Sequence, residues 1–177
     1  IERRAGSGAQ SANAALRFIS EPASTRFPAS GIDEFEIAEE LIRLARAAGV
    51  SRRITVRTHP VDHIEAWRRF VWRNRDQGVE FDVAPLEECV EDTWAAVGIS
   101  SILLTELAMG GVHVASFQPK AADPGYFCLP FAEFGIARLA DGAAFQAWLS
   151  SVDSGIPAAA SAKHRGAVER ITRRLLD

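Results

Sequence analysis

The chain has 177 residues, 47% of them hydrophobic and 24% charged, which suffices for one well-buried core and matches an ordinary globular domain. Its formal charge of −3, with 20 basic residues scattered rather than gathered in a block, excludes any overall electrostatic pull toward nucleic acid. No run approaches the roughly 20 apolar residues of a membrane span, nothing resembles a signal peptide, and Cys89 and Cys128 lack metal or disulfide-framework spacing; a cytoplasmic protein with reduced structural thiols and no metal is expected.

Because the sequence begins at Ile1 and its only methionine is Met109, it reads as a piece of something longer. Residues 1–14, polar and rich in Gly, Ser and Ala, are expected to be a linker from a preceding domain, and residues 15–177 the folded unit. From there, short apolar runs alternate with amphipathic patterns, the signature of βαβ units in a parallel sheet. Residues 15–20 predict a first strand, followed by a loop over 21–32 with Pro22 and Pro28 that is long enough for a lid. Asp33, with Glu36 three positions on, opens a helix whose inner face carries Phe35, Ala38, Leu41, Ile42 and Ala45 and which stops at Gly49. Residues 53–58 alternate as a second strand that ends at His59-Pro60. Asp62, with Glu65 at the capping-box position, then predicts a helix carrying Ile64, Trp67, Phe70 and Val71.

Residues 79–83, with Asp82 inside, predict a third strand, and Pro85 suits the first turn of a brief acidic helix. A fourth strand over 93–97 turns through Gly98-Ile99-Ser100-Ser101 into a helix with Ile102, Leu103, Leu104 and Leu107, stopped by Gly110-Gly111. Strands five and six follow at 112–117 and 135–139, separated by a loop over 118–134 that contains Pro and Gly. Asp141 caps a helix with Phe145, Trp148 and Leu149, and residues 157–176 read as a terminal helix or helix pair. All four tryptophans, Trp67, Trp72, Trp94 and Trp148, sit at core spacing. Six strands with helices between them predict a three-layer, doubly wound Rossmann-like α/β domain of strand order 3-2-1-4-5-6. Arg17 fits badly in a central strand, so either it snorkels toward a strand end or the strand boundary is misplaced by a residue or two.

In such a sheet, ligands bind beyond the carboxyl ends of the strands, where strand order reverses. Gly98-Ile99-Ser100-Ser101 brings backbone N–H groups, two hydroxyls and a helix N-terminus together, which suits a phosphate; the commoner role of Ser there is simply to cap the helix. His59, fixed by Pro60 after a strand, can hydrogen-bond a phosphate or satisfy loop carbonyls. Glu106, on the helix after Ser101, can accept from ribose hydroxyls or face solvent. A metal reading of His59, Asp62 and His63 lacks a further ligand, and Pro60 breaks its spacing. His113 reads as a core histidine and His164 as a surface one. No G-x-G-x-x-G, P-loop or G-x-S-x-G motif is present.

Thr58-His59-Pro60, Gly98-Ile99-Ser100-Ser101 and Leu104-Thr105-Glu106-Leu107-Ala108-Met109-Gly110 followed by a strand resemble the C-terminal domain of glycosyltransferases with the GT-B architecture. The similarity is nearest to the group of CDP-glycerol glycerophosphotransferases, bacterial polysialyltransferases and capsule polysaccharide transferases, and spans residues 15–149; Gly31-Ile32-Asp33-Glu34-Phe35-Glu36 resembles the start of their first helix. The resemblance implies a nucleotide-sugar donor as substrate and no separate cofactor. It also implies His59, the candidate catalytic residue, and Ser100-Ser101 on the donor phosphates, Glu106 on the ribose, and a separate N-terminal domain that supplies the acceptor site. Negligible transferase activity is expected of this segment alone. Gly110-Gly111-Val112-His113 departs from the pattern of many relatives, which place Pro before the strand. Two alternatives remain at this level: a domain like that of sugar-nucleotide 2-epimerases, whose usual Asp-Ser-Gly-Gly stretch is absent here, and a Rossmann-like binding module without turnover.

Overall fold

The computed structural model describes residues 13–26, 28–83, 85–119 and 133–154. Six strands, β1 (Ala15–Ile19), β2 (Ile54–Arg57), β3 (Val79–Phe81), β4 (Thr93–Gly98), β5 (His113–Phe117) and β6 (Ala137–Leu139), form one sheet in the order β3-β2-β1-β4-β5-β6. Every pairing is parallel. This is the predicted Rossmann-like arrangement. Helices α1 (Ala23–Arg26), α2 (Glu34–Ala47), α3 (Ile64–Arg73), α4 (Leu86–Glu91) and α5 (Ile102–Met109) lie between the strands, and α6 (Gly142–Asp153) follows the last.

Side chains alternate across the sheet. Leu16, Phe18, Ile54, Val56, Ala95, Val97 and Phe117 join one core with α2, α3 and α6, while Ile19, Ala96 and Val114 join a smaller one with Cys89 of α4 and Leu104 and Leu107 of α5. Both faces being covered, β1 and β4 are buried along their whole length, as central strands of a parallel sheet must be. The larger core centres on Trp67, whose ring lies 4.3 Å from Phe35, 5.3 Å from Phe70 and 5.8 Å from Phe18. Asp33 caps α2 by accepting from the amides of Phe35 (2.8 Å) and Glu36 (3.1 Å), and Asp141 caps α6 through the Ala144 amide (2.8 Å). Gly49, at φ 79°, ends α2, and the Val50 amide returns to the Ala45 carbonyl at 3.0 Å.

Several expectations are corrected. Helix α3 starts at Ile64, with no side-chain cap from His63, because Asp62 is engaged elsewhere and Glu65 pairs with Arg68 at 2.7 Å. Strand β3 ends at Phe81, leaving Asp82 just beyond it and Val83 exposed. Trp72 is not core: it is 65% exposed, with the Arg75 guanidinium 4.5 Å from its ring centroid. Residues 21–32 carry α1 and a 3₁₀ turn (Pro28–Ser30), anchored where Glu34 accepts from the amide (2.9 Å) and hydroxyl (3.0 Å) of Ser24. Strands β5 and β6 begin one and two residues later than predicted, and β4 extends to Gly98. Cys128, His164 and the predicted helical segment 157–176 lie outside the described residues.

Arg17 neither snorkels nor marks a wrong boundary. It is 1% exposed in the middle of β1. Its Nη1 donates to the Cys89 carbonyl at 2.7 Å and to the Thr93 hydroxyl, and its Nε lies 3.0 Å from Oδ2 of Asp82. The same carboxylate oxygen accepts from Arg57 Nη1 at 3.1 Å. A guanidinium under a sheet is tolerable only with a charge partner and hydrogen bonds in place, and the turn after β3 and α4 supply both. Beside it, burial above all pushes the Cys89 thiol up from its ordinary value, which disfavours the reactive thiolate.

Asp82→Ala leaves Arg17 buried without its anion and is expected to lower unfolding free energy by about 3–5 kcal/mol, measured by urea denaturation. In a Cys128→Ser background, Cys89 is expected to resist a disulfide reagent at pH 8 in the native protein and to react at the rate of unfolding; fast native-state labelling contradicts this account.

Candidate functional site

The chain leaves β1 toward β2 and leaves β4 toward β5, so the loops at their carboxyl ends part and open a crevice between them. Here it is a cleft of about 530 Å³. Three segments build it: residues 19–21 at the end of β1, residues 57–60 at the end of β2, and the start of α5 with its preceding turn. All four predicted site residues, His59, Ser100, Ser101 and Glu106, line it.

Gly98 sets how closely β4 ends beside β1. A methyl group there would lie 2.8 Å from the Ile19 carbonyl oxygen and 3.2 Å from the Leu104 side chain, so only glycine lets β4 end this close to β1. The turn that follows is held from the β5 side, where Ser116 Oγ and Gln118 Nε2 (3.0 Å) both donate to the Ile99 carbonyl.

Ser101 is the N-cap of α5, accepting from the Leu103 amide at 3.4 Å, so the common structural role of serine is realised at a residue that also faces the cleft. Ser100 is partnered differently. Its amide (3.2 Å) and its hydroxyl both donate to Oε2 of Glu21, a residue 8% exposed. A carboxylate therefore occupies the N-terminal end of α5, the favourable position for an anion.

His59 is fixed by its backbone. Its amide donates to Asp62 Oδ2 (2.8 Å) and Ser20 Oγ (3.1 Å), Ser20 donates to the same Asp62 oxygen, and His59 Nδ1 accepts from the Val61 amide at 3.3 Å. The acceptor role of Nδ1 places the ring proton on Nε2. Asp62, expected to cap α3, instead ties the ends of β1 and β2 together. Glu106 is exposed at the cleft edge, one turn into α5.

Pattern reading missed Glu21, Arg57 and the Ser20–Asp62 tie. Glu21 and Arg57 stand beside strand ends flanking the switch point, so position was the one signal available for them; nothing in one dimension showed that a carboxylate from residue 21 meets an amide at residue 100. Among the described residues, no group of three or more His, Cys, Asp or Glu side chains is placed to hold a metal ion, and no helix is long and apolar enough to cross a membrane.

Fold and cleft together define a Rossmann-like α/β domain with its crevice at the topological switch point. Compared with protein-family models and with curated protein sequences, the chain matches none.

Gly98→Ala forces the ends of β1 and β4 apart. It is expected to cost about 1–3 kcal/mol in stability and to perturb the amide resonances of Ile19, Ser100 and Ser101 more than those of β6; an unperturbed cleft contradicts the assigned role of the close approach.

Proposed function

We propose that this chain is the donor-binding half of a GT-B glycosyltransferase, one that holds a nucleotide-activated sugar or polyol phosphate for transfer to a surface or capsule polysaccharide. The observation that carries this reading is the convergence of His59, Ser100, Ser101 and Glu106 on one cleft at the switch point. These residues come from two segments about 40 positions apart, and the resemblance implies donor-binding roles for the same residues that the strand-end rule selects.

On this reading the donor phosphates lie at the N-terminal end of α5, meeting backbone N–H groups of the preceding turn, that of Ser100 among them, and the serine hydroxyls. His59 Nε2–H donates to the leaving phosphate, and Arg57, in the same cleft, adds positive charge. As the sugar bond breaks, negative charge builds on the nucleoside mono- or diphosphate, and these fixed dipoles lower the barrier by stabilising that charge. Glu106, five positions beyond Ser101, accepts from the ribose hydroxyls. The acceptor and the base for its hydroxyl belong to a separate N-terminal domain, so this chain by itself binds donor without turning it over.

Calorimetric titration with CMP, CDP, UDP, GDP and ADP tests the reading. One nucleotide is expected to bind selectively, and His59→Ala and Ser101→Ala each to weaken it about ten- to a hundredfold, the range for a lost hydrogen bond to a charged group. Thermal melting separates the loss of the α5 cap in Ser101→Ala, about 1 kcal/mol, from loss of binding. Failure of a folded chain to bind any of the five overturns the proposal.

A further inference from the structure

The position a phosphate oxygen would take at the start of α5 is already filled by the chain's own carboxylate. Glu21 directs one oxygen to both the amide and the hydroxyl of Ser100, the donor pair expected of a phosphate cradle. Its side chain lines the same cleft and is 8% exposed. A carboxylate and a phosphate cannot share one N–H and one hydroxyl, and two anions at that separation repel. The geometry points to Glu21 as an internal occupant of the phosphate cradle, a resident anion that an incoming phosphate must displace.

This inference rests on the reading of the cleft as a phosphate site. It makes Glu21 a specificity-determining residue whose effect is opposite in sign to that of His59 or Ser101: removing its charge tightens binding. A phosphate group makes the same charge-assisted bonds and carries more charge than a carboxylate, so it can exchange with Glu21. A neutral nucleoside has nothing to offer the Ser100 amide and leaves Glu21 in place. The resident carboxylate thus weakens the binding of phosphate-bearing ligands while leaving neutral nucleosides unaffected, and it tempers phosphate affinity using residues that lie entirely within this chain.

The test is titration of the full 177-residue chain and its Glu21→Gln variant with inorganic phosphate, followed through the Ser100 backbone amide by NMR. Phosphate is expected to move the Ser100 amide in the wild type as it replaces the carboxylate, and Glu21→Gln to bind phosphate about tenfold more tightly. Glu106→Gln, which removes a carboxylate from the same cleft without freeing an amide, gives the size of the general field effect, and the gain at Glu21 must exceed it. Equal or weaker binding by Glu21→Gln, or a Ser100 amide unmoved at phosphate saturation of the wild type, overturns the inference while leaving the phosphate site standing. If Glu21→Gln does not fold, the wild-type Ser100 readout decides alone. If the folded wild type binds neither phosphate nor any nucleotide, the phosphate reading itself fails and this inference with it.

Discussion

Between the carboxyl ends of β1 and β4 there is room for a hydrogen atom and not for a methyl group, since a side chain on Gly98 would press to 2.8 Å from the Ile19 carbonyl oxygen. That contact fixes how far apart the two diverging loops can start, and so the width of the crevice at its base. The residues that line the cleft hang from the two sides of it. On one side Ser20, Asp62 and the His59 amide bind β1 to β2; on the other, Ser116 and Gln118 hold the Ile99 carbonyl from β5. The serines of the turn and the histidine are placed by backbone and second-partner bonds rather than by their own reach, which is the kind of support a preorganised site requires.

A second constraint lies beneath the sheet. Arg17, Asp82 and the half-buried Arg57 form an ion cluster whose bonds also run to the Cys89 carbonyl and the Thr93 hydroxyl. Apolar side chains of similar volume would avoid the desolvation cost, so the cluster's contribution lies in arrangement: it aligns the middle of β1, the turn after β3, and α4 in one register. Because Arg57 belongs both to this cluster and to the cleft, the buried charges also determine where a cation stands in the site.

Strand order, helix faces and every predicted N-cap but Asp62 were legible because they rest on local periodicity and on capping chemistry a few residues long. Asp33 and Asp141 cap as their spacing requires. Asp62 carries the same local signal as Asp33, yet its carboxylate is drawn to Ser20, 42 positions earlier, a competitor no window of sequence contains. Trp72 follows the helical spacing of core residues but falls on the far side of α3, past the width of the buried stripe. Arg17 looked misplaced for a similar reason, because its anion arrives from a strand end 65 residues downstream. The candidate site was legible as far as a fold rule and a family resemblance could carry it: His59, Ser100, Ser101 and Glu106 do share one cleft. The electrostatics of that cleft, set by Glu21 and Arg57, depend on the three-dimensional meeting of loops.

The ring cluster around Trp67 has a mechanical consequence. Phe18 of β1, Phe35 of α2 and Phe70 of α3 all touch that one indole, so the segments leading into and out of the β1 and β2 loops are joined through large, interlocking side chains. The α5 side rests on a smaller cluster that includes Ala96, Ala108, Leu104 and Leu107. Shifting an aromatic jigsaw by a fraction of an ångström forfeits many contacts at once, while small aliphatic surfaces slide past one another at lower cost. The crevice therefore has one stiff wall and one compliant wall, and its width is adjusted most cheaply by displacement of α5.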